Sequence, residues 1–318
     1  MGSTAPGADS RRPPSDLDGL LQLASVQPEA RLGVVAADDG TALEAVAAAV
    51  SRALVTPVLF GPEQAIRARL TDKSGDAAIA RVLEIAQFVD TADPAPAAVS
   101  AAAGGEVEIL LKGALRTDEI LRAVLDSSSG LRTGRLLSDI LLYEDSVGAS
   151  TRLVAITDGG ITIAPTLEQK RRIVTNAVAV LRRVGFERPR VAIMSATEVV
   201  SDALPSTVDA QQLSAEAERG DFGACDVFGP LALDNALLVS AAEAKGIVSP
   251  VAGHADCLVA PSIEAGNLLG KSAKFFHGSR CAHVVLGAGV PILIPSRVES
   301  ADDKLLSIAL GVLAVDRG

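Results

Sequence analysis

An α/β fold in two domains is expected, and three observations predict it. The chain has 318 residues, more than a single hydrophobic core ordinarily serves. Hydrophobic residues make up 48% and charged residues 21%, a balance that supports packing and excludes disorder. Aromatics are only 3% and Trp is absent, so the core must be Ala, Val, Leu and Ile, the palette of a parallel sheet buried on both faces. Along the chain, short apolar runs alternate with helical periods, which is βαβ rhythm.

Residues 1–14 are rich in Gly, Ser, Pro and Arg without an apolar period, and are expected to form a disordered tail. A helix is expected over 16–26, a strand over 32–36, a helix over 41–54, a strand over 57–60 and a helix over 62–70. Strands over 84–89 and 107–111 follow, with helices after them at 94–103 and 118–125. The polar, glycine-containing segment 143–149 marks the expected domain boundary. A second series opens with a strand over 153–157 and the turn Asp158-Gly159-Gly160. The clearest helix is 167–184, where Leu167, Val174, Ala177, Val178, Leu181 and Val184 share one face and Thr166 with Gln169 forms a capping box. The remaining pieces are a strand at 191–195, a helix over 208–219, a strand before Gly229, a helix from Asp234, a strand at 257–260 and a helix at 263–276. Strands at 283–286 and 291–294 and a last helix from Ser300 complete the chain. No internal repeat is visible.

The formal net charge of −10 argues against nucleic acid or an anionic membrane as partner, so any anionic ligand must be held by a local cluster of Arg and Lys. No apolar run is long enough to span a bilayer, and the first residues lack the apolar stretch of a signal peptide; a cytoplasmic protein is expected. Cys225, Cys257 and Cys281 match neither a metal site nor a disulfide framework and read as small core residues.

Eight stretches then carry a resemblance. They are LLKGALRTDEILRAVL from Leu110, GLRTGRLLS from Gly130, ITDGGITIAPTLEQKRRIVTNAV from Ile156, PSTVDA from Pro205, GPLALDNA from Gly229, KGIVSPVAGHAD from Lys245, IEAGNLLGK from Ile263 and VLGAGVPILIPSR from Val285. Together and in this order they resemble the phosphate acetyltransferase and phosphate butyryltransferase family, from about Ile109 to the end, with a weaker match in layout before that.

The resemblance implies two αβα domains with a cleft between them, an isocitrate/isopropylmalate dehydrogenase-like architecture. Domain I would be 15–148 plus 289–318 and domain II 149–288, the latter pairing in a homodimer. It implies a phosphate acyltransferase that exchanges a short acyl group (acetyl, propionyl or butyryl) between coenzyme A and inorganic phosphate, through a ternary complex and without a metal or a tightly bound cofactor. Because the chain end returns to the first domain in that architecture, the Ser-Arg turn would sit at the cleft.

By resemblance, Ser296 hydrogen-bonds the CoA sulfur or acyl oxygen, Arg297 stabilises thiolate or phosphate charge, and Asp303 draws off the thiol proton. A free thiol titrates near 8.5 and a free Asp near 3.9, so an unaided Asp would face a cost of about 6 kcal/mol. A shared role follows, with Arg297 stabilising the thiolate and Asp303 orienting and accepting. Ser300-x-x-Asp303 also reads as a capping box, with Asp302 a competing acid; Ser296 also reads as a turn residue and Arg297 as a surface one. Arg132, in a Gly-bounded segment with Thr133, presents a fork suited to phosphate, or a plain salt bridge. Lys112-Gly113 ends a strand, where α/β proteins bind ligands; solvent exposure is the other reading of Lys112. Gly266-Asn267 lies inside a helix, where Gly costs about 1 kcal/mol, which suggests close approach by a ligand or another backbone. His254 and His277 have no partner motif.

The pattern departs from the family at Phe228 and Ser262, where relatives carry acids, at Thr162, often Asn, and at Pro295. These losses motivate a second expectation, a catalytically weakened CoA-binding paralogue with a structural or regulatory role. A dehydrogenase would need a G-x-G-x-x-G turn or a carboxylate cluster for metal, and neither is visible. GLRTG and GPLALDNA look closer to the butyryl branch and Asp303 to the acetyl branch, so the acyl preference stays open.

Overall fold

The computed structural model describes residues 13–73, 75–146, 151–296 and 298–317. In chain order the elements are α1 (Leu17–Ser25), β1 (Ala30–Val35), α2 (Gly40–Val50), β2 (Val55–Gly61), α3 (Glu63–Thr71), α4 (Ala77–Ile85), β3 (Gln87–Asp90), α5 (Pro94–Ala103), β4 (Ile109–Lys112) and α6 (Thr117–Leu125). They continue with β5 (Ser138–Asp145), β6 (Arg152–Thr157), α7 (Leu167–Val184), β7 (Arg190–Met194), α8 (Pro205–Glu218), β8 (Asp226–Leu231), α9 (Leu233–Leu237), α10 (Val239–Ala244), β9 (Cys257–Val259), α11 (Ile263–Phe275), β10 (Cys281–Leu286), β11 (Ile292–Leu293) and α12 (Ala301–Ala314).

Two local features show why sequence set these boundaries. Helix α7 opens on the expected capping box: Gln169 N–H donates to Thr166 Oγ1 at 3.3 Å, and Thr166 N–H donates to Gln169 Oε1 at 2.9 Å. Its face of Val174, Ala177, Val178, Leu181 and Val184 is buried as the period requires. Two readings change. The strand expected over 84–89 begins later, at Gln87, because Asp76 caps α4 through Ala78 N–H at 2.8 Å and Ile79 and Val82 bury its inner face. The segment 143–149 opens inside a strand: Tyr143, Glu144 and Asp145 pair with β6, and Tyr143 pairs with Cys281 of β10, while 147–150 fall outside the described residues. Strand β5 escapes βαβ reading because no helix separates it from β6; it is antiparallel to its neighbour.

The strands form one sheet in the order β3-β2-β1-β4-β11-β10-β5-β6-β9-β7-β8. β3, β2, β1, β4 and β11 run parallel in one direction, and β6, β9, β7 and β8 run in the other. Between these blocks, β10 and β5 each run antiparallel to both neighbours. The chain end thus returns to β4 through β11, which brings the Ser296 turn beside the carboxyl end of β4.

The two faces of the sheet are covered differently. On one, residues of α1, α2, α4, α7 and α12 form a continuous apolar layer that spans both blocks. On the other, two separate patches form: one under α5 and α6, with Phe60, Leu110 and Val285, and one under α9, α10 and α11, with Leu141, Ile156 and Leu258. The gap between these patches is where the cavity lies. Cys225, Cys257 and Cys281 are buried free thiols, as their reading as core residues required. Among the described residues, no helix is long and apolar enough to cross a membrane.

Candidate active site

A cavity of about 480 Å³ occupies the gap, within the size range of small-molecule sites. Its walls come from the end of β4 and the start of α6 (Lys112, Arg116), the turn after β6 (Gly159, Gly160), α11 (Gly266, Lys271, Lys274) and the 294–299 turn (Ser296, Glu299). Asp139 and Leu141 of β5 and His283 of β10 also line it. Among the described residues, this wall carries four Lys or Arg against two Asp or Glu, in a chain whose net charge is −10. That local inversion is what an anionic ligand needs.

Lys112 and Ser296 both line this cavity. Lys112 is buried at the end of β4, not displayed to solvent, and its ammonium donates to Leu115 O at 3.3 Å. Gly113 is part of the wall's foundation. Its N–H donates to Val35 O at 2.8 Å, and a Cβ there would sit 2.2 Å from Ala36 O. The two readings of Gly266 resolve to backbone: a Cβ on Gly266 would stand 2.6 Å from Asp158 O, and one on Gly159 would stand 2.9 Å from Gly266 C. Helix α11 therefore rests directly on the 158–160 turn. Asn267 ties the same contact, donating from Nδ2 to Gly159 O at 3.1 Å. Asp158 holds the turn by accepting from Gly160 and Ile161 at 2.9 Å and from Thr162 at 3.0 Å. Burial, then the nearby Asp139 charge, pushes the Asp158 carboxyl up, against those three hydrogen bonds.

Arg132 and Thr133 stand elsewhere. Arg132 is exposed and forms an isolated bridge with Ala288, and Thr133 Oγ1 donates to Gly287 O at 2.6 Å. Neither lines the cavity. Arg297 lies outside the described residues.

Asp303 is both a cap and a partner of the cavity wall. Ser300 Oγ and N–H donate to its Oδ2 at 2.7 and 3.1 Å, and Lys274 of α11 reaches Oδ1 at 2.7 Å. Burial raises its pKa, but the Lys274 and Ser300 interactions outweigh this and hold the carboxyl below its ordinary value of 3.8. Asp302 is exposed and stands 3.4 Å from Arg280. Because the folded pKa of Asp303 is depressed, its stabilisation is complete above the unfolded value and is lost as pH falls through the folded one. Asp303→Asn, which leaves a mostly buried Lys274 without its counter-charge, is expected to cost about 2–3 kcal/mol at pH 7. The gap between variant and wild type should narrow below about pH 4, and urea unfolding at pH 7 and about pH 3 measures it. An unchanged gap at the lower pH would contradict the assignment.

Sequence reasoning missed Asp139, Lys274, His283 and Glu299. The available signal was a polar side chain interrupting a buried strand: His283 in CAHVVL and Asp139 at the head of SDILLYED. The departures at Phe228 and Ser262 do not touch the wall. Phe228 packs in the patch under α9–α11, and Ser262 caps α11, accepting from Ala265 N–H at 3.4 Å.

An open α/β sheet with a cleft lined by several cations and a turn-borne hydroxyl is the class of site that suits small anionic ligands. The comparisons narrow this class. The family described as phosphate acetyl/butaryl transferase matches residues 77–312. The chain is 40% identical over 304 residues to the phosphate acetyltransferase of Rhizobium meliloti, covering 96% of this chain and 95% of that one. The structure of a branched-chain phosphotransacylase from Enterococcus faecalis V583 aligns with a TM-score of 0.76 at 29% identity, over 90% of this chain and 98% of that one. The structure of 4-hydroxythreonine-4-phosphate dehydrogenase from Klebsiella pneumoniae, at 15% identity and a TM-score of 0.50 over 90% of this chain and 100% of that one, shares the fold alone. The chain belongs to the phosphate acetyl/butyryl transferase family and is an acyltransferase, on a fold that dehydrogenases also use.

Proposed function

We propose that the chain exchanges a short acyl group between coenzyme A and inorganic phosphate in the cleft between α6 and α11. The observation that carries this is that Lys112, Arg116, Lys271 and Lys274 line one cavity with Ser296. Both substrates are anions, and both must be desolvated together for direct transfer. In this reading Ser296 donates to the acyl oxygen, Arg297 stabilises the thiolate or the phosphate, and Asp303 holds Lys274 at the wall. Phosphate is held by the wall cations, with Arg132 and Thr133 outside the reacting centre. CoA enters as a substrate, and the chemistry needs no resident cofactor.

The split into domain I (15–148 with 289–318) and domain II (149–288) is part of the same proposal; the two opposed strand blocks support it, while β10 of domain II and β5 of domain I interleave between them. Pairing of two copies through domain II is supported by the exposed side chains Ile163, Val199, Leu233, Val239 and Val248 in that half. A cytoplasmic enzyme acting on soluble substrates, with no nucleic acid or membrane partner, completes the reading.

The test mixes the purified chain with CoA and acetyl, propionyl or butyryl phosphate and follows thioester formation. Turnover with at least one is expected. One methylene more or less should change kcat/KM by only about 10–200-fold, so neighbouring chain lengths should both react. Folded protein inactive on all three would instead favour a CoA-binding paralogue.

A further inference from the structure

Two glycines of α11, Gly266 and Gly270, face the cavity. Glycine inside a helix is destabilising relative to alanine, so each calls for a reason. At Gly266 the reason is backbone, since the 158–160 turn leaves no room for a Cβ. Gly270 differs. A Cβ there would meet Leu141 Cδ1 at 3.0 Å and, among the described residues, nothing else within 4 Å. That obstacle is the tip of a flexible side chain, which can yield. Packing therefore does not demand glycine at 270, and what its missing Cβ leaves is open space in the cavity beside Leu141.

The strand register shows what that space faces. Leu141 of β5 pairs with Ile156 of β6 on one side and with His283 of β10 on the other. Paired residues share a face of the sheet, and all three line the cavity. Among the described strand residues of the wall, Leu141 and Ile156 are the aliphatic ones. They lie deep, at 7% and 1% exposure, whereas Phe275 and Val298, at 59% and 75%, stand at the mouth.

We infer that Leu141 and Ile156 form the floor of the acyl pocket and that Gly270 sets the length of acyl group it accepts. The inference rests on the acyl-exchange reading above and assigns the residues that choose among its substrates. Beyond its carbonyl the acyl chain is wholly apolar, so it gains most from a buried aliphatic floor. The pantetheine arm carries amides and must lead out past the mouth to the rest of CoA. The two walls act on acyl length in opposite directions. Gly270→Ala places a methyl against Leu141, in room that a longer acyl chain would fill. Ile156→Val takes one carbon from the floor and deepens it. Neither substitution changes a charge or a side-chain hydrogen-bonding group, so an effect that differs between acyl lengths reports fit.

The test measures kcat/KM for thioester formation from CoA with acetyl, butyryl and pentanoyl phosphate, with thermal unfolding run beside each variant. Gly270→Ala is expected to stay folded, because alanine is the better helix former, and to lower the butyryl-to-acetyl ratio about 10-fold or more. Ile156→Val is expected to raise the pentanoyl-to-butyryl ratio about 4-fold, the worth of one buried methylene, and carries the test if Gly270→Ala does not fold. Wild-type ratios in folded Gly270→Ala, or in Ile156→Val, overturn the pocket assignment alone, and acyl exchange stands as long as the wild type turns over. A wild type confined to acetyl phosphate also overturns the assignment, since the space at 270 would then go unused. A folded wild type inactive with all three overturns the reading beneath it as well.

Discussion

Ser296→Ala lowers turnover by about 10²–10³-fold while unfolding stays close to wild type. The hydroxyl lines the cavity on a half-buried turn, and the fold hydrogen bond there, from Glu299 N–H at 3.1 Å, uses the Ser296 carbonyl, which alanine keeps. In the proposed reaction, loss of the hydroxyl removes a donor to developing negative charge, an effect of about 3–4 kcal/mol in a dry preorganised site, whereas a change at a site without packing or capping duties shifts stability by about 0.5 kcal/mol or less. The catalytic term wins by a wide margin. In the same proposal Arg297→Ala should match or exceed it, since the guanidinium next in sequence keeps its charge at every working pH. Turnover and thermal unfolding of both variants, run in parallel, check this. Wild-type turnover in either variant would remove that residue from the reacting centre.

Gly113→Ala destabilises the fold by about 3 kcal/mol or more. The added Cβ would meet Ala36 O at 2.2 Å, Val35 O at 2.9 Å and Ala36 C at 3.0 Å. All three are backbone atoms, so no side chain can swing aside. Overpacking ordinarily costs about 1–3 kcal/mol, and a rigid obstacle puts this site at the upper end. The gain from restricting the unfolded chain, about 0.4–1 kcal/mol, does not offset it. Relief requires β1 and β4 to part at their carboxyl ends, which also displaces Lys112, so activity falls with stability. Thermal unfolding should shift down by about 5 °C. A variant as stable as wild type would show that the contact relaxes without cost.

Much of this was legible locally. The capping boxes at Thr166 and Ser300 are four-residue patterns, and both formed as written. The apolar face of α7 needed only a helical period. The glycine at 266 announced a close approach, because a helix carries one only at a cost of about 1 kcal/mol; the sequence left open what approaches. The family motifs placed Lys112, Gly266, Asn267 and Ser296, and all four line one cavity.

The rest depended on contacts distant in sequence. Strand β5 is paired antiparallel to β6 and β10, and no periodicity signals that a βα series stops for one strand. Arg132 carries the chemistry of a phosphate ligand, yet its bridge to Ala288 leaves it outside the cavity wall. His283 and Asp139 lie far apart in sequence and became neighbours only through the β10–β5 register. Residue types and local spacing determined most of the helices, the caps at Thr166 and Ser300, the α/β class and the family resemblance, but not α4. Tertiary structure decided which charges face one another, because ion pairing depends on separation in space, and strand order, not sequence distance, sets that separation.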